Sequence, residues 1–177
     1  MPKGMIDFHR YPSGELRTAF EEHIFEGCEY AYGKDKKLNL HFTVAPKYLQ
    51  YIQDHLDNAW EKYPHKKDFK VNFELSVQEN ATDTIAVKDD LSPYRDVEGN
   101  LLFRPGGHGA LIHNLSAIDA DLIFIKNIDN VLPENRAKQS HDYKKALGGL
   151  TLSLQADIHA FLDRLLDPQD LDVIDEV

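Results

Sequence analysis

The chain is poor in cysteine, in long apolar runs and in basic charge. Cys28 is its only cysteine, so no internal disulfide forms, and a reduced, cytoplasmic protein is expected. No apolar h-region follows Met1, and no apolar run approaches the roughly 20 residues that a membrane span needs. Lys and Arg number 20 against 30 Asp and Glu, a formal net charge of −10. That balance excludes a basic face for nucleic acid and an attraction to anionic membrane. Nucleic acid and membrane are therefore not expected as partners.

Several chemical signatures are missing too. There is no Gly-Lys-Ser/Thr phosphate loop, no dinucleotide fingerprint and no Gly-x-Ser-x-Gly elbow. Glu21-Glu22-His23 lacks the second histidine of a zinc-protease helix, and His108 and His113 are not spaced to share a helix face. Cys28 falls on an apolar helical stripe. Neither a zinc site nor a nucleophilic hydrolase is expected.

What is present suits one domain. The length is 177 residues and hydrophobic residues make up 42%, enough for a core. Residues 1–166 are read as a single domain and 167–177 as a frayed acidic tail carrying Asp170, Asp172, Asp175 and Glu176. After an irregular first sixteen residues, Thr18 and Glu21 have capping-box spacing and open a helix with Phe20, Ile24, Cys28 and Ala31 on one stripe, ending at Gly33. Leu38, Leu40, Phe42 and Val44 alternate as one face of a strand. Pro46 begins a helix with Leu49, Ile52, Leu56, Trp60 and Tyr63, and Pro64 stops it. Val71, Phe73, Leu75 and Val77 mark a second strand.

Residues 84–87 and 101–103 are read as short strands around a loop, and Ala110 to Leu115 as a short helix. Leu122-Ile123-Phe124-Ile125 is apolar throughout, which predicts a strand covered on both faces. From Pro133 to Leu166 a helix is expected, its apolar face formed by Leu147, Leu150, Leu154, Ile158, Phe161 and Leu165, with a break or kink at Gly148-Gly149. This alternation predicts an α/β fold with a mostly parallel, doubly wound sheet and helices on both faces. Ligands would then bind beyond the carboxyl ends of the strands.

Three of those strand ends carry unusual residues. Arg104-Pro105-Gly106-Gly107-His108-Gly109 lets a backbone approach a ligand, although an ordinary helix-starting turn accounts for it equally. Asp129-Asn130 can hold a hard cation with substrate phosphates, with Lys126 nearby; a plain turn is the competing reading. Gln78 offers an amide that can read a base edge or a sugar hydroxyl, or simply ends a strand.

In order along the chain, Arg17-Thr18-Ala19-Phe20-Glu21-Glu22-His23, residues 104–111 (Arg104 to Leu111) and Phe124-Ile125-Lys126-Asn127-Ile128-Asp129-Asn130-Val131 resemble an uncharacterised bacterial family, domain of unknown function 4301. That family is similar to the UDP-sugar pyrophosphorylases, nucleotidyltransferases of the GT-A type that join UTP and a sugar 1-phosphate with Mg²⁺. The resemblance implies a nucleotide or sugar nucleotide as ligand. It implies Asp129 as the Mg²⁺ and phosphate ligand and Lys3 of Pro2-Lys3 as the group that neutralises phosphate. Arg17, Arg104, Lys126 and Asn130 are implied near phosphate and substrate. Gln78 is implied at the base, with Gly106, Gly107 and His108 packing on it.

One departure stands out. The family's first strand and glycine-rich loop belong just before Pro2-Lys3, where this chain has Met1. A truncated member is therefore expected, lacking a central strand, with self-association through the incomplete sheet as a consequence. The alternative expectations are a non-catalytic binding or interaction module, or a remnant without activity.

Overall fold

A computed structural model describes residues 1–166; the acidic tail expected at 167–177 lies outside the described residues. The chain opens with a hairpin where no regular structure is expected. Strand β1 (Asp7–Arg10) pairs antiparallel with β2 (Leu16–Thr18). Gly14 takes a positive φ of 89° in the turn, and Tyr11 N–H donates to the Glu15 carbonyl at 2.9 Å. Pro12 and Gly14, read only as irregularity, are the turn of this hairpin.

Helix α1 (Ala19–Tyr30) starts with the expected capping box. Thr18 N–H donates to Glu21 Oε2 at 2.6 Å, and Glu21 N–H donates to Thr18 Oγ1 at 3.3 Å. The helix ends at Tyr30, before Gly33, whose N–H instead bonds the Lys37 carbonyl. Next come β3 (Lys37–Thr43), α2 (Leu49–Lys62) and β4 (Lys70–Ser76), and β3 and β4 pair in parallel. A helix between two strands is what a parallel pair requires. Phe20 and Ile24 of α1 and Ile52 and Leu56 of α2 form one core with Leu40, Phe42, Phe73 and Leu75 from a single sheet face. Cys28, Leu38 and Tyr63 extend it.

Strands β5 (Thr84–Ile85) and β6 (Phe103–Arg104) form a short antiparallel pair, as the loop reading anticipates. Then come α3 (Ile112–Ser116) and α4 (Glu134–Leu165). The described residues thus make a mixed α/β fold with short sheets and, among them, no closed barrel. Among the described residues no helix is long and apolar enough to cross a membrane.

Four expectations need correction. Instead of one doubly wound sheet, the described strands make three two-stranded sheets, of which only β3–β4 is parallel. Leu122–Ile125 is not a strand, because its anchors are side chains. Residues 122, 124, 126 and 128 are half-buried while 123 and 125 are exposed. Phe124 meets Tyr30 edge-on with ring centroids 4.9 Å apart, and Lys126 reaches Glu26. Residues 119–126 make no main-chain hydrogen bond to any described residue.

Helix α4 runs unbroken for 32 residues through Gly148-Gly149. A Cβ on Gly148 would stand 3.0 Å from the Phe124 ring, so this glycine serves close packing. Nor does α4 pack through its leucine stripe. Leu147, Leu150, Leu154, Ile158 and Leu165 are exposed, and Ala137, His141 and Gly148 are buried instead. Small residues let the helix lie close to its neighbours.

Candidate functional site

A groove of about 2230 Å³ opens between β3 and the extended segment 120–129. Residues of β3 from both sheet faces line it, so the groove wraps the strand's free edge. Lys36 and Val44 bond toward β4, through Lys36 O and Val44 N. The intervening His41 and Thr43 therefore direct their main-chain N–H and C=O to the open edge. The walls are Phe20 and His23 of α1, the His108–Leu115 region and the middle of α4.

On the groove lining, Lys3 and Asp129 form an ion pair across 126 residues of sequence. The Lys3 ammonium lowers the Asp129 carboxyl below its ordinary value. Pro2, Lys3 and Gly4 and residues 127–129 all line the groove, as do His108 and Gly109. Asn130 N–H donates to the Asn127 carbonyl at 3.0 Å, so Asp129 projects from a tight turn.

Gln78 and Gly106 also come together, outside the groove lining. A Cβ on Gly106 would stand 2.6 Å from the Thr82 carbonyl and 3.4 Å from Gln78 Nε2, a close approach that only glycine permits. Gln78 Nε2 donates to Thr82 Oγ1 at 2.9 Å. Gly107 is open to solvent, with nothing within 4 Å of a built Cβ. Arg104 sits exposed in β6.

Two expected phosphate ligands are held in structural networks instead. Arg17 donates to Glu15 Oε1 at 2.7 Å and Glu134 Oε2 at 2.9 Å, and its guanidinium lies 3.6 Å from the Phe25 ring centroid. It ties β2 to α4 and is buried. Lys126 donates to Glu26 at 2.5 and 2.6 Å. Glu26 also takes Lys144 and, at 2.5 Å, the Tyr30 hydroxyl. Burial acts to raise Glu26, but these partners outweigh it and hold the carboxyl at about 2. His23 Nε2–H donates to the Ile128 carbonyl at 3.0 Å and pins the same segment to α1. Both interactions are non-local, so neither shows in sequence.

Sequence reasoning missed a polar cluster on the outer face of β3–β4. His41 Nε2 lies 2.7 Å from Ser76 Oγ, Thr43 Oγ1 3.1 Å from it, and Asn114 Nδ2 donates to it at 2.9 Å. The signal was the polar half of each alternating strand, Asn39/His41/Thr43 and Asn72/Glu74/Ser76. The expectation for Cys28 stands: burial pushes its thiol up to about 11, so it is no nucleophile at neutral pH. Among the described residues no group of three His, Cys, Asp or Glu is placed to hold a metal ion.

No curated protein and no solved structure matches the chain. The model of the family described as Domain of unknown function (DUF4301) matches residues 1–176, the span that holds both the Lys3–Asp129 pair and the glycine-rich turn, and the chain belongs to that family.

Proposed function

We propose that this domain binds a nucleotide or sugar nucleotide in the manner of a GT-A nucleotidyltransferase, with the UDP-sugar pyrophosphorylases as the nearest chemistry. The observation that carries the reading is the meeting of Lys3 and Asp129 on the groove lining, across 126 residues of sequence. An exposed lysine–aspartate pair contributes little to stability, so its placement is free to serve a ligand. Phosphate would draw Lys3 away from Asp129, and Asp129 would then hold Mg²⁺ together with phosphate oxygens. The metal's contribution is to neutralise charge on the phosphates. Gln78, beside Gly106 and outside the groove lining, offers its amide oxygen to a base edge while its Nε2 donates to Thr82 Oγ1. Turnover in this reading is positioning and charge neutralisation.

Thermal shifts with UTP, other nucleoside triphosphates and UDP-sugars, with and without Mg²⁺, test it. Ligand at 100 times its Kd stabilises by about 2.7 kcal/mol, a rise of roughly 5–10 °C at this chain length. The expected result is a rise selective for one nucleotide, dependent on Mg²⁺ and lost in Asp129→Asn. A cooperative melt that no nucleotide moves sinks the reading.

A second reading, an interaction module that self-associates through the open edge of β3, is favoured by that edge and by the bare Ile125 facing away from the core, 72% exposed.

A further inference from the structure

The β3–β4 register sets His41 opposite Glu74 and Thr43 opposite Ser76. All four side chains share the face turned away from the core, because strand side chains alternate. His41 Nδ1 is buried and faces Glu74 Oε2 at 3.5 Å, at ion-pair distance without a completed hydrogen bond. A carboxylate only accepts, so it favours the tautomer with the proton on Nδ1. Nε2 then carries the lone pair, and Ser76 Oγ, 2.7 Å away, donates to it. Asn114 Nδ2 donates to the same oxygen at 2.9 Å and to the Val77 carbonyl at 3.0 Å, while Thr43 Oγ1 lies 3.1 Å from Ser76 Oγ. The single Ser76 proton thus goes to the histidine, and its lone pairs are held by the other two. Asn114 Oδ1 is buried with no partner.

We infer that Ser76, His41 and Glu74 form a nucleophilic triad for the hydrolysis of carboxylic esters. Such triads are recognised by geometry and roles, not by sequence position or by an elbow motif. His41, Thr43, Glu74 and Asn114 line the groove, and the half-buried Ser76 lies behind them, outside the lining but within hydrogen-bond reach of His41, Thr43 and Asn114, with Leu111 and Leu115 on the lining as an apolar wall for an acyl group. Ser76 Oγ attacks the ester carbonyl carbon while His41 Nε2 takes its proton. The carbonyl–alkoxy bond then breaks, and the proton passes to the departing alcohol. Water attacks the acyl-serine carbonyl, giving a proton to His41 that returns to Ser76 Oγ as the carboxylic acid leaves. The two N–H groups of Asn114 Nδ2 go to Ser76 Oγ and the Val77 carbonyl, and the one on Oγ would turn to the developing oxyanion once Oγ is acylated. Glu74 is a positioning residue: it acts on the imidazole, not on the substrate. None of this depends on nucleotide binding.

The test is labelling with a fluorophosphonate probe, followed by peptide mapping, beside turnover of p-nitrophenyl acetate. One adduct, on Ser76, is expected. Ser76→Ala should abolish it, and His41→Gln should slow it at least tenfold. Glu74 is exposed, so Glu74→Gln should leave the melt unchanged. That variant should still slow labelling several-fold and move its pH profile, which a merely structural role would not do. Absence of an adduct on a cooperatively melting wild-type chain overturns the inference. So does labelling at Ser76 that proceeds at the wild-type rate in both His41→Gln and Glu74→Gln.

Discussion

Replacing Glu26 by glutamine removes one charge from the point where α1, the 120–129 segment and α4 converge. The Glu26 side chain is 5% exposed and faces two ammonium groups, Lys126 at 14% and Lys144 at 25% exposure. Glutamine keeps the size and leaves two half-desolvated cations without a counter-charge. Breaking a buried pair from one side costs about 3–5 kcal/mol. Proton linkage gives a comparable figure. A carboxyl held at about 2 in the fold and near 4.3 when unfolded contributes about 3 kcal/mol at neutral pH. At about 2–4 °C per kcal/mol for this length, Glu26→Gln should lower Tm by about 6–20 °C at pH 7.

The sign of the pH dependence follows from the depressed folded value. The contribution is complete above the unfolded pKa, near 4.3, and disappears as pH falls through the folded value of about 2. The gap between wild type and variant should therefore be constant from pH 7 to about pH 5 and shrink steadily below that. Differential scanning calorimetry of both proteins between pH 7 and pH 2.5 measures it. A loss under about 3 °C at pH 7, or a gap that does not narrow in acid, refutes the account of Glu26 as the network's anchor.

Other outcomes are smaller and differ in direction. Thr18→Ala removes the α1 cap and the contact with His55 Nε2, and should cost about 1 kcal/mol by urea titration. The two neighbouring glycines of α4 should respond oppositely. Gly149→Ala meets open space and should gain about 0.5–1 kcal/mol. Gly148→Val drives a side chain into the Phe124 ring and should lose about 1–3 kcal/mol. Ile125→Lys, at an exposed position, should leave the melt within about 0.5 kcal/mol of wild type while reducing concentration-dependent association in sedimentation velocity.

The parts of the fold legible in the sequence were those written at short range. The Thr18–Glu21 cap needs four adjacent residues, and β3, α2 and β4 each announce themselves by one period of apolar residues. What pairs with what was less visible. Leu122–Ile125 has a strand's composition, yet its main chain has no described partner. Periodicity describes a segment and says nothing of its neighbours. The same limit separates the site residues. Lys3 and Asp129 were named and do meet. Arg17 and Lys126, equally basic, are bound to Glu134 and to Glu26 across distances no local pattern encodes. His41 and Ser76 lie 35 residues apart and become neighbours only once the register is known.

That register divides the two parallel strands by parity. In β3 the even-numbered Leu38, Leu40 and Phe42 carry the core, as do the odd-numbered Val71, Phe73 and Leu75 of β4. The remaining positions, Asn39, His41, Thr43, Asn72, Glu74 and Ser76, face the other way. Selection on folding and selection on chemistry therefore act on separate, interleaved sets of codons. A library that randomises only the second set would sample new chemistry on an unchanged scaffold, whereas a single-residue insertion in either strand would exchange the two sets and lose both.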